Sequence, residues 1–196
     1  MSVHITYFVH GTTTDNEEGI SSGWSDVNLS TLGIQQSKDL RKQIKDEKFD
    51  VVFSSDLKRA ADSARLTFED DVEIFLDSRL RECDYGDLNG FSSAIVEPLQ
   101  EKNIQHRFPN GESYMDVKSR MLDFLDFLKK RYDGKKVAIV AHKAPQLALE
   151  VLLNNKSWEQ AFASDWRKTR KWQPGWEYVL IDEIILKPNN QSSNSS

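Results

Sequence analysis

Five consecutive apolar residues, Val137 to Ala141 (VAIVA), run without polar alternation into His142. A strand with one face in water alternates polar and apolar residues. An unbroken run therefore calls for cover on both faces, which in soluble proteins means a parallel sheet flanked by helices. Two other segments repeat the pattern. Ile5 to Val9 is β-rich and ends at His10-Gly11, and Asp50 to Ser54 (DVVFS) reads as a further buried strand. Segments of helical period separate these runs, so the chain reads as α/β: three layers, α/β/α, with a largely parallel central sheet.

The helices are marked by caps and spacing. Ser30 caps a segment reaching to about Lys45, with the small or apolar residues Gly33, Ser37, Leu40 and Ile44 on one face. Asp56 is placed to cap the next helix, whose Leu57, Ala60, Ala61, Ala64 and Phe68 share a face, and Arg59 lies off that face in the first turn. From about Ser113 to Tyr132 the residues Tyr114, Val117, Met121, Phe124, Leu125 and Leu128 keep three-four spacing before Asp133-Gly134 ends the helix. A helix from Pro145 to about Leu153 and a strand over Glu177 to Leu186 complete the pattern. Thr12 to Gly23 is polar and reads as a loop. With 196 residues, 38% of them hydrophobic, residues 1–186 fit one domain, and the polar tail 187–196 (KPNNQSSNSS) is expected to be disordered.

Charge and composition remove several function classes. Lys and Arg number 26 against 31 Asp and Glu, with no basic stripe, so a nucleic-acid partner is not expected. No apolar stretch approaches the roughly 20 residues of a membrane span. Met1 to His10 lacks the features of a signal peptide and Cys83 is the single cysteine, which together point to a reducing cytoplasm. The sequons at Asn28, Asn155, Asn190 and Asn194 then read as chance.

Chemistry-bearing residues collect at the ends of the apolar runs. In open α/β sheets the ligand crevice lies beyond the carboxyl ends of the strands, and His10 and His142 each stand at such an end. Arg59 follows a third strand at a helix start, a position suited to an anion. Glu82, inside LRECDYGDLNG, is a carboxyl candidate for proton transfer. Other chemistries fit less well. A Cys-x5-Arg phosphatase starting at Cys83 would need arginine where Asn89 stands, and the sequence has no G-x-x-x-x-G-K-[ST], G-x-G-x-x-G or G-x-S-x-G motif and no zinc-ligand spacing.

These residues fall into an ordered set. His10-Gly11-x-Thr13-x-x-Asn16 follows the first strand, then come Gly23-Trp24-x-Asp26 and Leu29-Ser30-x-x-Gly33-x-Gln35. SSDLKRAADSA around Arg59, LRECDYGDLNG around Glu82, PNGES at 109–113 and VAIVAHK ending past His142 complete it. The set resembles the histidine phosphatase superfamily, also called phosphoglycerate mutase-like, over roughly residues 3–150. The resemblance implies phosphomonoester hydrolysis in two steps without metal or other cofactor. His10 would attack the phosphorus to give a phosphohistidine, and Glu82 would protonate the leaving oxygen and then activate water. Arg59 and His142 would hold the phosphoryl oxygens, and Gly11, Thr13, Asn16 and Gly23 would line the substrate side.

Two positions depart from the family's motif. Val9 stands where an arginine usually precedes the nucleophilic histidine, which removes a guanidinium from the phosphate clamp. Losing one such donor costs about 10² to 10³ in rate. After His142, Lys143-Ala144-Pro145 replaces the common glycine, and Lys143 is expected to return a positive charge to the pocket. The short segment between Gly90 and Gly111 favours a phosphatase over a longer, cofactor-dependent mutase. Expected partners are a small phosphorylated substrate and at most a second copy of the chain. Val9 also raises two rival readings, an anion-binding protein with little turnover and an enzyme for a less charged substrate lined by Trp158, Trp166, Trp172 and Trp176.

Overall fold

The computed structural model describes residues 1–68, 72–169 and 175–181. The first half of the chain forms β1 (Val3–Val9), α1 (Thr14–Glu18), β2 (Ile20–Ser21), α2 (Thr31–Gln43), β3 (Val51–Ser54), α3 (Lys58–Phe68), β4 (Ile74–Leu76) and β5 (Phe91–Ser92). The second half adds α4 (Ser93–Gln100), α5 (Tyr114–Arg131), β6 (Lys136–Ala141), α6 (Lys143–Leu153), α7 (Trp158–Ala163), α8 (Trp166–Thr169) and β7 (Trp176–Leu180). The central sheet has the order β4-β3-β6-β1-β7, parallel throughout except for β7, which runs antiparallel to β1 at the edge. A separate two-stranded ribbon pairs β2 with β5.

Strand β6 explains the layering. Val137, Ile139 and Ala141 point into a core shared with Phe124 and Leu128 of α5 and Leu147 of α6, while Ala138 and Val140 point to the opposite face with Phe8, Ala64 and Phe68. With period-two side chains, a strand can be apolar at every position only if helices cover both of its faces, as they do here. The chain thus has the three-layer α/β fold read from its sequence.

Local signals set the helix ends. Ser113 and Asp116 form a reciprocal capping box on α5, and the Ser30 hydroxyl accepts from Gly33 N at 3.2 Å to start α2. Helix α6 begins at Lys143, two residues before its expected start, because Pro145 falls in the first turn, where its missing N–H costs no helical bond. The loop expected over residues 12–23 instead contains α1 and β2, since Thr13 and Asn16 also make a capping box. Asp56 does not cap α3: its carboxylate takes a bidentate pair from Arg81 at 2.7 and 2.6 Å, and Lys58 N donates instead to Asp26 Oδ1 at 3.0 Å. The continuation of β7 toward residue 186, the tail 187–196 and Trp172 lie outside the described residues.

Candidate active site

The backbone ladder brings the two strand-terminal histidines together. β1 and β6 are parallel neighbours with Val9 opposite Ala141, so the next residues leave the sheet side by side, and His10 N donates to Ala141 O at 3.0 Å. The rings of His10 and His142 lie 5.0 Å apart, centroid to centroid, at 60°. His10 Nδ1 is 2.7 Å from the Gly11 carbonyl oxygen. A carbonyl only accepts, so Nδ1 carries the proton and Nε2 presents a lone pair. Burial, followed by the positive charge of Arg59, lowers the His10 pKa to about 3, and the bond to Gly11 only partly opposes this. The ring is therefore neutral near pH 7, as a nucleophile must be.

His142 is fixed through its backbone. The Tyr7 hydroxyl donates to His142 O at 2.7 Å and accepts from His142 N at 3.0 Å. His142 is 0% exposed and is not among the residues that line the cavity, its ring packing against that of His10. Both ring nitrogens lack a hydrogen-bond partner among the described residues. Burial and the nearby charge of Arg59 keep its pKa well below the ordinary histidine value.

Arg59, in the first turn of α3, is buried, with only 3% of its surface exposed. Its guanidinium donates to the carbonyls of Ser25 at 2.9 Å and Gly23 at 2.6 Å. Gly23 presents that carbonyl at φ +53°, where a Cβ would stand 1.8 Å from Asn89 Oδ1, so this position admits only glycine. No carboxylate among the described residues forms an ion pair with Arg59, whose charge is supported at longer range by Glu82 and depresses the pKa of both histidines. Gly11 meets a similar constraint, since a Cβ there would lie 2.4 Å from Gly33 O. Its N–H donates to Ser63 Oγ at 3.0 Å, and that hydroxyl donates to Arg59 O at 2.8 Å, which ties the loop after β1 to α3.

Glu82 faces the same cavity. Its Oε1 accepts from Cys83 N at 2.8 Å and from Ala144 N, in the first turn of α6, at 2.9 Å. An anion at a helix N-terminus is favoured by the exposed N–H groups there. No bond among the described residues engages Oε2, so that oxygen is free to carry a proton to a ligand. The segment is held from outside. Arg120 donates to Glu82 O at 2.8 Å and to both carboxylate oxygens of Glu112 at 2.9 and 3.0 Å, and Trp24 Nε1 donates to Glu82 O at 2.7 Å. Cys83 is buried, and that burial pushes its thiol pKa up, away from nucleophilic use.

The cavity has a volume of about 730 Å³ and is walled by His10, Gly11, Asn16, Gly23, Arg59 and Glu82, with Val9 forming an apolar part beside His10. Thr13 is not on the wall. It is 0% exposed and caps α1, accepting from Asn16 N at 3.0 Å. Asn16 Oδ1 accepts from Thr13 N at 3.1 Å, and Asn16 lines the cavity. Lys143 reaches the wall, but its charge is already matched: Nζ lies 3.0 Å from Asp165 Oδ2 and donates to Gln100 Oε1 at 2.9 Å. The expectation that Lys143 supplies a free positive charge is corrected by this pairing. Trp166 and Arg167 of α8 also line the cavity, whereas Trp158 packs edge-on against Tyr114 in the core, with centroids 5.5 Å apart. Tyr7, Arg120 and Arg167 sit in no short motif: Tyr7 meets His142 across 135 residues and Arg120 meets Glu82 across 38, while Arg167 gains its place only from the cavity it lines.

The family model of the histidine phosphatase superfamily (branch 1) matches residues 7–171. A 2,3-bisphosphoglycerate-dependent phosphoglycerate mutase from Rhizobium meliloti (strain 1021) is 30% identical, over 82% of this chain and 83% of that protein. A mycobacterial glucosyl-3-phosphoglycerate phosphatase superposes with a TM-score of 0.74 at 25% identity, covering 83% of this chain and 84% of the other. YhfR from Bacillus stearothermophilus shares the fold, with a TM-score of 0.73 at 24% identity over 82% and 84% of the two chains. Phosphatases and mutases thus both stand among the similar proteins, and phosphoryl transfer or hydrolysis is the reaction class they support.

Proposed function

The chain belongs to the histidine phosphatase superfamily, and on that premise we propose that it hydrolyses a small phosphorylated metabolite through a phosphohistidine on His10. The observation that carries the reading is the neutral His10 ring, with Nδ1 committed to Gly11 O and Nε2 open, in one cavity with Arg59 and Glu82. In the first step His10 Nε2 forms a bond to phosphorus as the bond from phosphorus to the leaving oxygen breaks. Glu82 Oε2 gives its proton to that oxygen. In the second step water attacks phosphorus, the N–P bond breaks, and Glu82 takes the proton from the water. Arg59 supplies charge to the phosphoryl oxygens throughout, which is the larger part of catalysis in such transfers.

Hydrolysis is preferred to mutase chemistry because little chain stands between Gly90 and Gly111 to shelter the intermediate from water. The ribbon strand β5, the short helix α4, one 3-10 turn over Glu101–Asn103 and the loop after it occupy that stretch. The reading takes the cytoplasm as the compartment and a monomer or homodimer as the form.

Phosphate release from a panel of phosphomonoesters, without added metal, tests this for the unmodified protein, His10→Ala and Val9→Arg. Turnover that disappears in His10→Ala supports the reading. An unmodified protein that binds phosphate without releasing it from any ester, but gains turnover with Val9→Arg, favours an anion-binding role, to which the apolar Val9 beside His10 points.

A further inference from the structure

The clamp described so far has one arginine for a phosphoryl group carrying close to two negative charges, because position 9 is valine and Lys143 is paired with Asp165. The corner where α8 meets the start of α6 contains a second cation. Asp165, with its side chain 0% exposed, faces both Lys143 Nζ at 3.0 Å and an Arg167 terminal nitrogen at 3.4 Å. Two cations thus share one carboxylate, which leaves the corner with a net positive charge. Burial pushes the Asp165 pKa up, but Lys143 and Arg167 more than offset that and hold it below the usual carboxyl range, so the carboxylate stays ionised.

Lys143 Nζ is the nearer of the two cations, in an ion pair with Oδ2 that makes no hydrogen bond. Asp165 Oδ1 already accepts from Arg167 N at 3.1 Å, and 3.4 Å is a long contact for an arginine donor. Among the described residues, this contact is the only one that engages any of the five guanidinium N–H groups of Arg167. The guanidinium lies 4.7 Å over the Trp166 ring, a stacking that orients its plane. Its side chain is 31% exposed and lines the same cavity as His10, Arg59 and Glu82.

The geometry points to Arg167 as the second guanidinium of the anion clamp, reaching the phosphoryl group from α8 in place of the arginine absent at position 9. This rests on the phosphatase reading above and adds a binding residue to the same site. Arg167 also stands among the charges that lower the pKa of His10 and His142, behind burial and Arg59. The arrangement separates two jobs. Lys143 and Asp165 form a buried anchor that fixes the start of α8, and Arg167 extends from that anchor into the cavity.

The test uses inorganic phosphate, which offers no second anionic group, and an aryl phosphomonoester with a neutral leaving portion. Arg167→Ala, Arg167→Lys, Val9→Arg and the double variant Val9→Arg/Arg167→Ala are compared with the unmodified chain. Arg167→Ala is expected to weaken phosphate binding and to lower kcat/KM about 10²-fold, the scale of one lost oxyanion donor, with Tm little changed because the Lys143–Asp165 pair remains. Arg167→Lys should recover part of the loss, and Val9→Arg should restore the double variant while adding little to the unmodified protein. Phosphate affinity and turnover unchanged in Arg167→Ala would overturn the proposal. So would a loss that Val9→Arg does not repair, or an unmodified protein with no affinity for phosphate. Turnover surviving His10→Ala would sink the phosphohistidine reading, and the phosphate affinities would still decide the role of Arg167.

Discussion

Two regions of the molecule face one cavity and are held there by different means. At the carboxyl edge of the sheet, the backbone ladder of β1 and β6 delivers His10 and His142 side by side, and the close backbone approach of Gly11 to Gly33 fixes the loop after β1. In the corner formed by α4, α6 and α8, the links between elements are made by side chains: Gln100, Lys143 and Asp165 meet across the ends of three helices. A ladder tolerates the loss of any one side chain and keeps its register. A buried ionic network does not, because each partner left behind is an unpaired buried charge. Catalytic variants at the edge should therefore fold and fail to turn over, and variants that break the Lys143–Asp165 pair in the corner should lose stability.

The largest expected effect is at the edge. His10→Gln should retain the fold and lose more than about 10³ in turnover, since it removes the nucleophile, as release of phosphate measured beside a thermal melt would show. Arg59→Lys should follow with a loss of about 10²-fold in kcat, because an ammonium cannot serve the Ser25 and Gly23 carbonyls together and still present a flat donor pair to phosphate.

In the corner, Lys143→Ala should cost about 3 kcal/mol by denaturant unfolding, the low end for breaking a buried pair because Arg167 stays near Asp165. If Lys143→Ala instead kept full stability and lost phosphate affinity, the contrast between the two regions would be wrong.

Smaller effects refine the contrast. Tyr7→Phe removes both hydrogen bonds to the backbone of His142, and about 1–2 kcal/mol of stability should go with them, together with a modest fall in kcat. The pH dependence of stability follows from His10. Its pKa in the fold, about 3, lies below the ordinary 6.5, so between those values the unfolded chain binds more protons than the folded one. Stability therefore rises with pH across that window and is lost as pH falls from 6.5 toward 3. His142 adds to the slope in the same direction. In His10→Gln the acid limb of a Tm against pH curve should be shallower.

The contrast also explains what could be read from the sequence. The double-faced β6 and the apolar stripe of α5 are periodic, and period maps directly onto burial: Tyr114, Val117, Met121, Phe124, Leu125 and Leu128 are all 0% exposed. His10 and His142 were legible because strand ends are legible. Arg59 was found by position, but its burial was not, since the carbonyls of Gly23 and Ser25 that receive it come from a loop more than 30 residues earlier. Thr13 was assigned to the substrate side, whereas its Thr-x-x-Asn spacing is a helix cap, a signal present in the sequence and read differently. The corner left no signal of its own. Asp165 stands just before a four-residue helix without periodicity and Arg167 lies inside it, and only their place near Lys143 in space gives them meaning.

The most direct test of the central claim is to trap the intermediate. The protein is mixed with a phosphomonoester labelled in its phosphoryl group, quenched in alkali and digested, and the label is mapped. The account predicts a base-stable, acid-labile label on His10, absent from His10→Ala and longer-lived in Glu82→Gln, where no base activates the water. Steady release of phosphate with no labelled histidine, and undiminished in His10→Ala, would contradict it.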